Sequence, residues 1–511
     1  MPVRRPTPKQ LGSLAESYGL HMTESELQVY SRLVDDALAA YDVVLDLPDN
    51  LPVVKYPRAV WYHPVGEENR YNAWYVKTSI KGAPEGKLAG RKIAIKDCMC
   101  VAGIPMSVGT QYLEGYIPDV DATVVVRILD AGGEITGKAT CPSMCLSGGS
   151  HTTWPRSVCN PWNTEKSAGG SSSGSAVLVA VGEADMSLGG DQGGSIRIPA
   201  AWCGIVGLKP TYGLVPYTGV GGIEVTVDHV GPMTRTVEDN ALLLEVIAGP
   251  DGIDPRQNAP RVTPYRATLK DGLRGLRIGV VKEGFGHPES ETDVDASVLQ
   301  AGEQLARLGA SVEHVSVPVH AIGRAIWTPT ILEGLLDLMM LGNGGGTNHG
   351  GLFVTSFMDA QSRWRARADE LSVSMKTVML IAGFMKQQYA GRFYGKSQNL
   401  IRKMRKAYDE ALTRFDLLIM PTTPQKATRL PDDSAPIEEL WEAALNMNRN
   451  TSPLCATGHP ALSVPCGISE GLPIGLMFIG RHWDEATIYR AAYAFEQSRT
   501  DLAEALHKLA R

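Results

Sequence analysis

The chain has 511 residues, with 49 basic against 55 acidic side chains and a net charge of −6. Hydrophobic residues make up 43% and charged residues 20%, the balance of an ordinary globular protein carrying several domains' worth of chain or one large core. A mildly acidic surface argues against nucleic acid as a partner, because phosphate binding calls for a basic face. No run approaches the roughly 20 apolar residues that cross a bilayer, so no membrane association is expected. The opening "MPVRRPTPKQ" is not followed by an apolar stretch and does not read as a secretory signal, which makes the cytoplasm the expected location. Eight cysteines are too sparse for a disulfide framework. Cys98 and Cys100, and Cys141 and Cys145, match no standard zinc spacing, so buried reduced thiols are expected and no metal.

In chain order, residues 1–85 read as a helical extension. Thr23 and Glu26 form a capping box at a helix start. Leu27, Tyr30, Leu33, Val34, Ala37, Leu38 and Tyr41 then repeat at three- and four-residue steps, an apolar stripe that needs a partner surface, either the main body or a second copy of the chain. "DLPDNLPVVKYP" (46–57) reads as a linker. From Lys87 the pattern turns α/β. "RKIAIK" (91–96) is a short strand, 121–133 a helix closed by glycine, and 133–138 another strand. Further on come a strand at 276–281, a helix around Ala296–Leu308, a strand at 311–317 and a buried strand at 415–422. This alternation predicts a sheet covered by helices on both faces. Strand signals fade over 319–406, where Met- and Leu-rich helical pieces surround "GNGGGTNHGG" (342–351). That glycine run lacks the preceding strand and following lysine of a phosphate cradle and reads as a loop. The segment is expected to be a helical insertion that covers the active site.

Two glycine-rich blocks stand out. "SAGGSSSGSAVLVAVG" (167–182) contains G-x-S-x-G at Gly170–Gly174, the pattern of a nucleophile elbow with Ser172 as nucleophile. An elbow follows a buried strand, but here polar "NPWNTEKSAG" comes first and the apolar run comes after. The serines therefore sit at a helix N-terminus. The second block, "GGDQGGSIRIP" (189–199), bares the backbone around a single hydroxyl, Ser195. Such baring suits a site where something approaches the main chain closely.

"GGSSSGSA" followed by "GGDQGGSIRIPAAWCGIVGLKPT" resembles the glycine/serine-rich block of the amidase signature hydrolases. The resemblance reaches upstream to "IAIKD" and downstream to "VDHVGPMTRTVED", "FDLLIMPTTP" and "TGHPALSVPCG…GLPIGLMFIG". It implies an α/β amidase signature fold, with a central mixed sheet covered by helices, over about 86–511. It also implies a Ser–Ser–Lys triad, with Ser195 as nucleophile, Ser171 as bridging serine near a cis peptide, and Lys96 as base. Ser172 is the competing choice for the bridge. No metal or cofactor belongs to this chemistry. Serine needs a base to take its proton, and a lysine serves only when neutral, which burial of Lys96 favours. Backbone N–H groups of Gln192, Gly193, Gly194 and Ser195 are the expected donors to the oxyanion. Asp191 and Arg197 read as structural supports of that loop.

Ser173, Gly190 and Gln192 depart from the commoner family pattern. The combination is similar to the bacterial broad-range, often enantioselective amidases that follow nitrile hydratase and carry an N-terminal helical extension. The implied activity is hydrolysis of a small carboxamide to acid and ammonia, by a homodimer acting on a small molecule. Gln192 is then a candidate to pair with the substrate's own carboxamide, and Trp327 a candidate pocket wall. The alternative is the glutaminase subunit of a tRNA-dependent amidotransferase, which shares the core.

Overall fold

The computed structural model describes residues 3–432, 434–506 and 508. The chain divides into two compact units, Met1–Val53 and Val54–Arg511. In the first, helix α1 spans Pro8–Ser17 and α2 spans Glu24–Asp46. The capping box at α2 forms as its sequence predicts: Thr23 N–H donates to Glu26 Oε2 at 2.8 Å, and Glu26 N–H donates to Thr23 Oγ1 at 3.3 Å. Thr7 and Gln10 repeat the device at α1, with Pro8 in its first turn.

The helical extension is shorter than the residue-85 boundary expected from sequence. Trp74–Lys81 is strand β1, an edge strand of the sheet in the larger unit, paired antiparallel with residues 134–139. Its side chains pass from a buried Trp–Tyr–Val run to polar residues, so it lacks the clean alternation that marks a strand. Coil does occupy the expected linker, and the unit boundary falls inside it.

The remaining strands are β2 (Lys92–Lys96), β3 (Glu134–Ala139), β4 (Met186–Asp191), β5 (Val206–Lys209), β6 (His229–Thr234), β7 (Arg277–Val281), β8 (Ser311–Val315), β9 (Leu417–Pro421), β10 (Ala461–Ser469) and β11 (Leu472–Ile479). Among the described residues they form one mixed eleven-stranded sheet in the order β1-β3-β2-β4-β6-β5-β10-β11-β9-β7-β8. Parallel pairing is confined to β3-β2-β4 and β9-β7-β8. In the first of these groups all three strands end at one edge. Lys96, the last residue of β2, lies opposite Ala139 of β3 and beside the end of β4. Ligand sites of open α/β sheets favour such an edge.

Helices flank the sheet. They include α3 (Thr123–Asp130), α4 (Ser173–Ala180), α5 (Arg197–Cys203), α6 (Val237–Ile247), α7 (Thr292–Arg307) and α8 (Gly323–Leu335). All eight residues of α4 are buried, and small ones are required there. A Cβ on Gly174 would stand 2.3 Å from the Ala73 carbonyl oxygen. The Gly/Ser composition of 167–175 thus serves close packing of a helix on backbone. The 319–406 segment is helical as expected, but its last helix, Arg392–Arg414, runs beyond the predicted end. Gly342–Gly351 is turn and coil.

Candidate active site

β2 and β4 bring their ends together around Lys96, which is fully buried. Its Nζ donates to Ser171 Oγ at 2.7 Å and to the Gly190 carbonyl at 3.2 Å. Ser171 follows a cis peptide bond from Gly170, as the resemblance implied. Ser172 has a different role. Its Oγ accepts from Gly190 N–H and donates to Gly190 O, both at 3.2 Å, stitching α4 to the end of β4. Lys96 Nζ is bonded to Ser171, not to Ser172.

Ser195 sits in the turn between β4 and α5 and is 8% exposed. It lines a cavity of about 40 Å³ together with Cys145, Gln192, Gly193, Ile223, Trp327 and Ile331. A roomier apolar cavity of about 170 Å³ lies under Cys203, Phe495 and Leu502, but none of the groups above lines it. Every sequence-predicted site residue that lines either cavity lines the smaller one.

Asp191 organises the turn. Its carboxylate accepts from Gly194 N–H at 2.7 Å, Ile196 N–H at 3.1 Å and Arg197 Nε at 3.0 Å. Arg197 also donates to the Thr451 carbonyl at 2.9 Å, and both charged groups are fully buried. Despite burial, the Arg197 guanidinium, joined by Cys455 and Lys209, holds the Asp191 carboxyl well below the usual carboxylate range. Both residues support the loop, as expected from sequence. The same geometry corrects one expectation. Gly194 N–H is taken by Asp191, so it is not free to stabilise an oxyanion. Among the described residues, the N–H groups of Gln192, Gly193 and Ser195 make no hydrogen bond. Gly194 is instead required for shape: its φ is +134°, and a Cβ there would meet Thr451 Oγ1 at 2.3 Å.

Gln192 is 4% exposed and held at both ends. Trp327 Nε1, from α8, donates to its carbonyl oxygen at 2.9 Å. Its own Nε2 donates to Tyr217 Oη at 3.0 Å, and Tyr217 Oη in turn donates to Gly221 O. The side-chain Oε1 is left buried with no partner. A buried acceptor without a partner, on a residue that lines the cavity, is suited to an N–H donor from a ligand.

Sequence reasoning missed the sulfur around the lysine. The Cys145 thiol donates to Cys141 Sγ at 3.7 Å, and Cys98 and Ser171 also bear on its acidity. All eight cysteines are free, and all but the half-buried Cys159 are buried, as expected. Their placement was readable in part, since Cys98 lies two residues past Lys96 and Cys141 two past the Ala139 opposite it. Sulfur neighbours complicate the expectation that burial alone neutralises the amine. Burial is the largest influence on Lys96 and pushes it down. Cys145, Cys98, Cys141 and Asp191 push it up, and the balance lies above the ordinary lysine value. Cys145 in turn is held well below its ordinary value chiefly by Cys141, and then by Cys98. Cys145 is the largest of the upward influences, so protonating it shifts the balance toward the free amine.

These features define an amide-hydrolysing enzyme, and the comparisons agree: the sequence profile of the Amidase family matches residues 57–489, so the chain belongs to the amidase signature family. Among its relatives is an enantioselective amidase from Rhodococcus rhodochrous, 43% identical over 499 residues, covering 96% of each chain. A glutamyl-tRNA(Gln) amidotransferase subunit from Methanosarcina acetivorans is 38% identical over 431 residues, covering 83% of this chain and 87% of that protein. The solved structure of the corresponding subunit from Thermotoga maritima superposes with a TM-score of 0.70 at 29% identity, covering 84% of this chain and 87% of that one.

Proposed function

We propose that the chain hydrolyses a small primary carboxamide to the carboxylic acid and ammonia through an acyl-enzyme on Ser195. The observation that carries this reading is the 2.7 Å contact from buried Lys96 Nζ to Ser171 Oγ, near a cavity lined by Ser195 and by Gln192, whose Oε1 is unpartnered. Ser195 Oγ attacks the carbonyl carbon, its proton passes to Ser171, and Ser171's own proton passes to Lys96 as a free amine. The free N–H groups of Gln192 and Gly193 stabilise the oxyanion. Collapse expels ammonia, protonated back along the same relay, and water then releases the acid. Gln192 Oε1 accepts from the substrate's NH₂. An enantioselective amidase aligned over 96% of both chains supports a free-standing enzyme over an amidotransferase subunit, whose match covers 83%.

The test is ammonia release across aliphatic, aromatic and amino-acid amides, with glutamine included. Ser195→Ala is expected to lose about 10⁴-fold or more in kcat, as removal of a nucleophile does. Appreciable turnover in that variant would show that another group attacks. Turnover of glutamine alone, with co-purification of two other subunits, would favour the amidotransferase reading. We also read the enzyme as a cytoplasmic homodimer. Support comes from the exposed apolar side chains of α2, among them Leu33, Tyr41, Val43 and Val44.

A further inference from the structure

Outside the Ser195 cavity, three side chains from three separate elements converge. Asp409 lies on the Arg392–Arg414 helix, His459 follows the Ser452–Thr457 helix, and His482 follows β11. One ligand atom from each lies within 4.8 Å of the other two. Asp409 Oδ1 stands 3.1 Å from His459 Nε2 and 3.7 Å from His482 Nδ1. Around a tetrahedral ion with bonds of about 2.0–2.1 Å, neighbouring ligand atoms stand about 3.3–3.4 Å apart, and the two spacings bracket that edge.

The ring nitrogens facing away from Asp409 are both held by Thr457. His459 Nδ1 lies 3.0 Å from its Oγ1, and His482 Nε2 lies 3.1 Å from its carbonyl oxygen. A carbonyl only accepts, so His482 carries a proton on Nε2, and its Nδ1 faces Asp409. Metal-bound histidines are oriented by this kind of outer contact. Arg405 donates to the same Thr457 carbonyl at 2.8 Å, and its charge opposes a second cation. The Asp409 carboxylate offsets that charge.

We propose that Asp409, His459 and His482 bind one divalent transition-metal ion of borderline softness, Zn²⁺ or Co²⁺. Two imidazoles and one carboxylate select such ions over Ca²⁺ and Mg²⁺, which take oxygen ligands. Asp409 is 53% exposed, so solvent reaches the fourth position. None of the three residues lines the Ser195 cavity, and the ion is a fastener: it ties the Arg392–Arg414 helix to the segments that follow the Ser452–Thr457 helix and β11.

The test uses the full chain after chelator treatment and dialysis. Zn²⁺ is titrated by calorimetry and Co²⁺ by visible absorption, with unfolding followed in parallel. One saturable equivalent is expected, with the visible bands of four-coordinate cobalt. Tm should rise by about 2–3 °C at a hundredfold excess over Kd. Asp409→Asn and His482→Ala should each lose that equivalent and the Tm rise while still hydrolysing amide. Asp409 is half-exposed, so its variant reads the site even if His482→Ala folds poorly. No saturable binding in the parent chain, or an equivalent that survives both substitutions, overturns the proposal.

Discussion

Around Ser195, single side chains make separable contributions. Gln192→Ala removes the orphaned Oε1 and is expected to lower kcat/KM for a primary amide by about tenfold, the worth of one neutral hydrogen bond. The matching ester lacks N–H donors and should lose less. Equal losses on amide and ester would detach Gln192 from the substrate nitrogen. In the proposed relay Cys145 acts through Lys96. The lysine is a base only as the free amine, so kcat/KM falls on the acid side as pH drops through its pKa. Cys145 is the largest upward influence on that pKa, and Cys145→Ala should therefore move the acid limb to lower pH. A full pH profile checks this, and a limb that stays in place or moves up rejects the coupling. Lys96, Ser171 and Ser195 could be picked out from sequence because each sits at a fixed place in a long ordered motif. The hold of Trp327 on Gln192, across 135 positions, and of Thr451 on Gly193, across 258, could not be. Those contacts exist only once distant helices pack on the loop.

At the scale of elements, the turn between β4 and α5 hangs on one buried ion pair. Arg197→Met leaves the Asp191 charge buried without its partner and is expected to cost about 3–5 kcal/mol. Denaturant unfolding measures the loss, and a change below about 1 kcal/mol would mean that Asp191 is satisfied by its backbone donors alone. The strands that sequence identified, β2, β3, β7, β8 and β9, are apolar runs or strands bounded by charge and turn residues. The strand missed at the site, β4, reads "MSLGGD", with two glycines and a serine that lower its strand signal. Its place is set by neighbours on both edges, β2 parallel and β6 antiparallel. Gly194 shows the same limit. Its glycine was readable as a bared backbone, but the capture of its N–H by Asp191 required the folded turn.

For the whole molecule, the division at Val53/Val54 makes a truncation informative. A chain starting at Val54 keeps the entire sheet and every residue of the Ser195 cavity, so it should retain amide hydrolysis. Sedimentation of the full and truncated chains tests the homodimer reading, which expects the truncated chain to be the smaller species. An unchanged oligomer would place the contact elsewhere. Sequence by itself determined the chemical parts and their order: a lysine closing a strand, serines at a helix start, a hydroxyl among glycines. These depend on residue type and local spacing, which a linear chain displays directly. Only the tertiary structure decided which N–H groups stay free, which serine is tied to Gly190, and what charge surrounds Lys96. Each of those depends on groups far apart in the chain being brought within hydrogen-bond range and out of water, where a partner's presence or absence changes both acidity and availability.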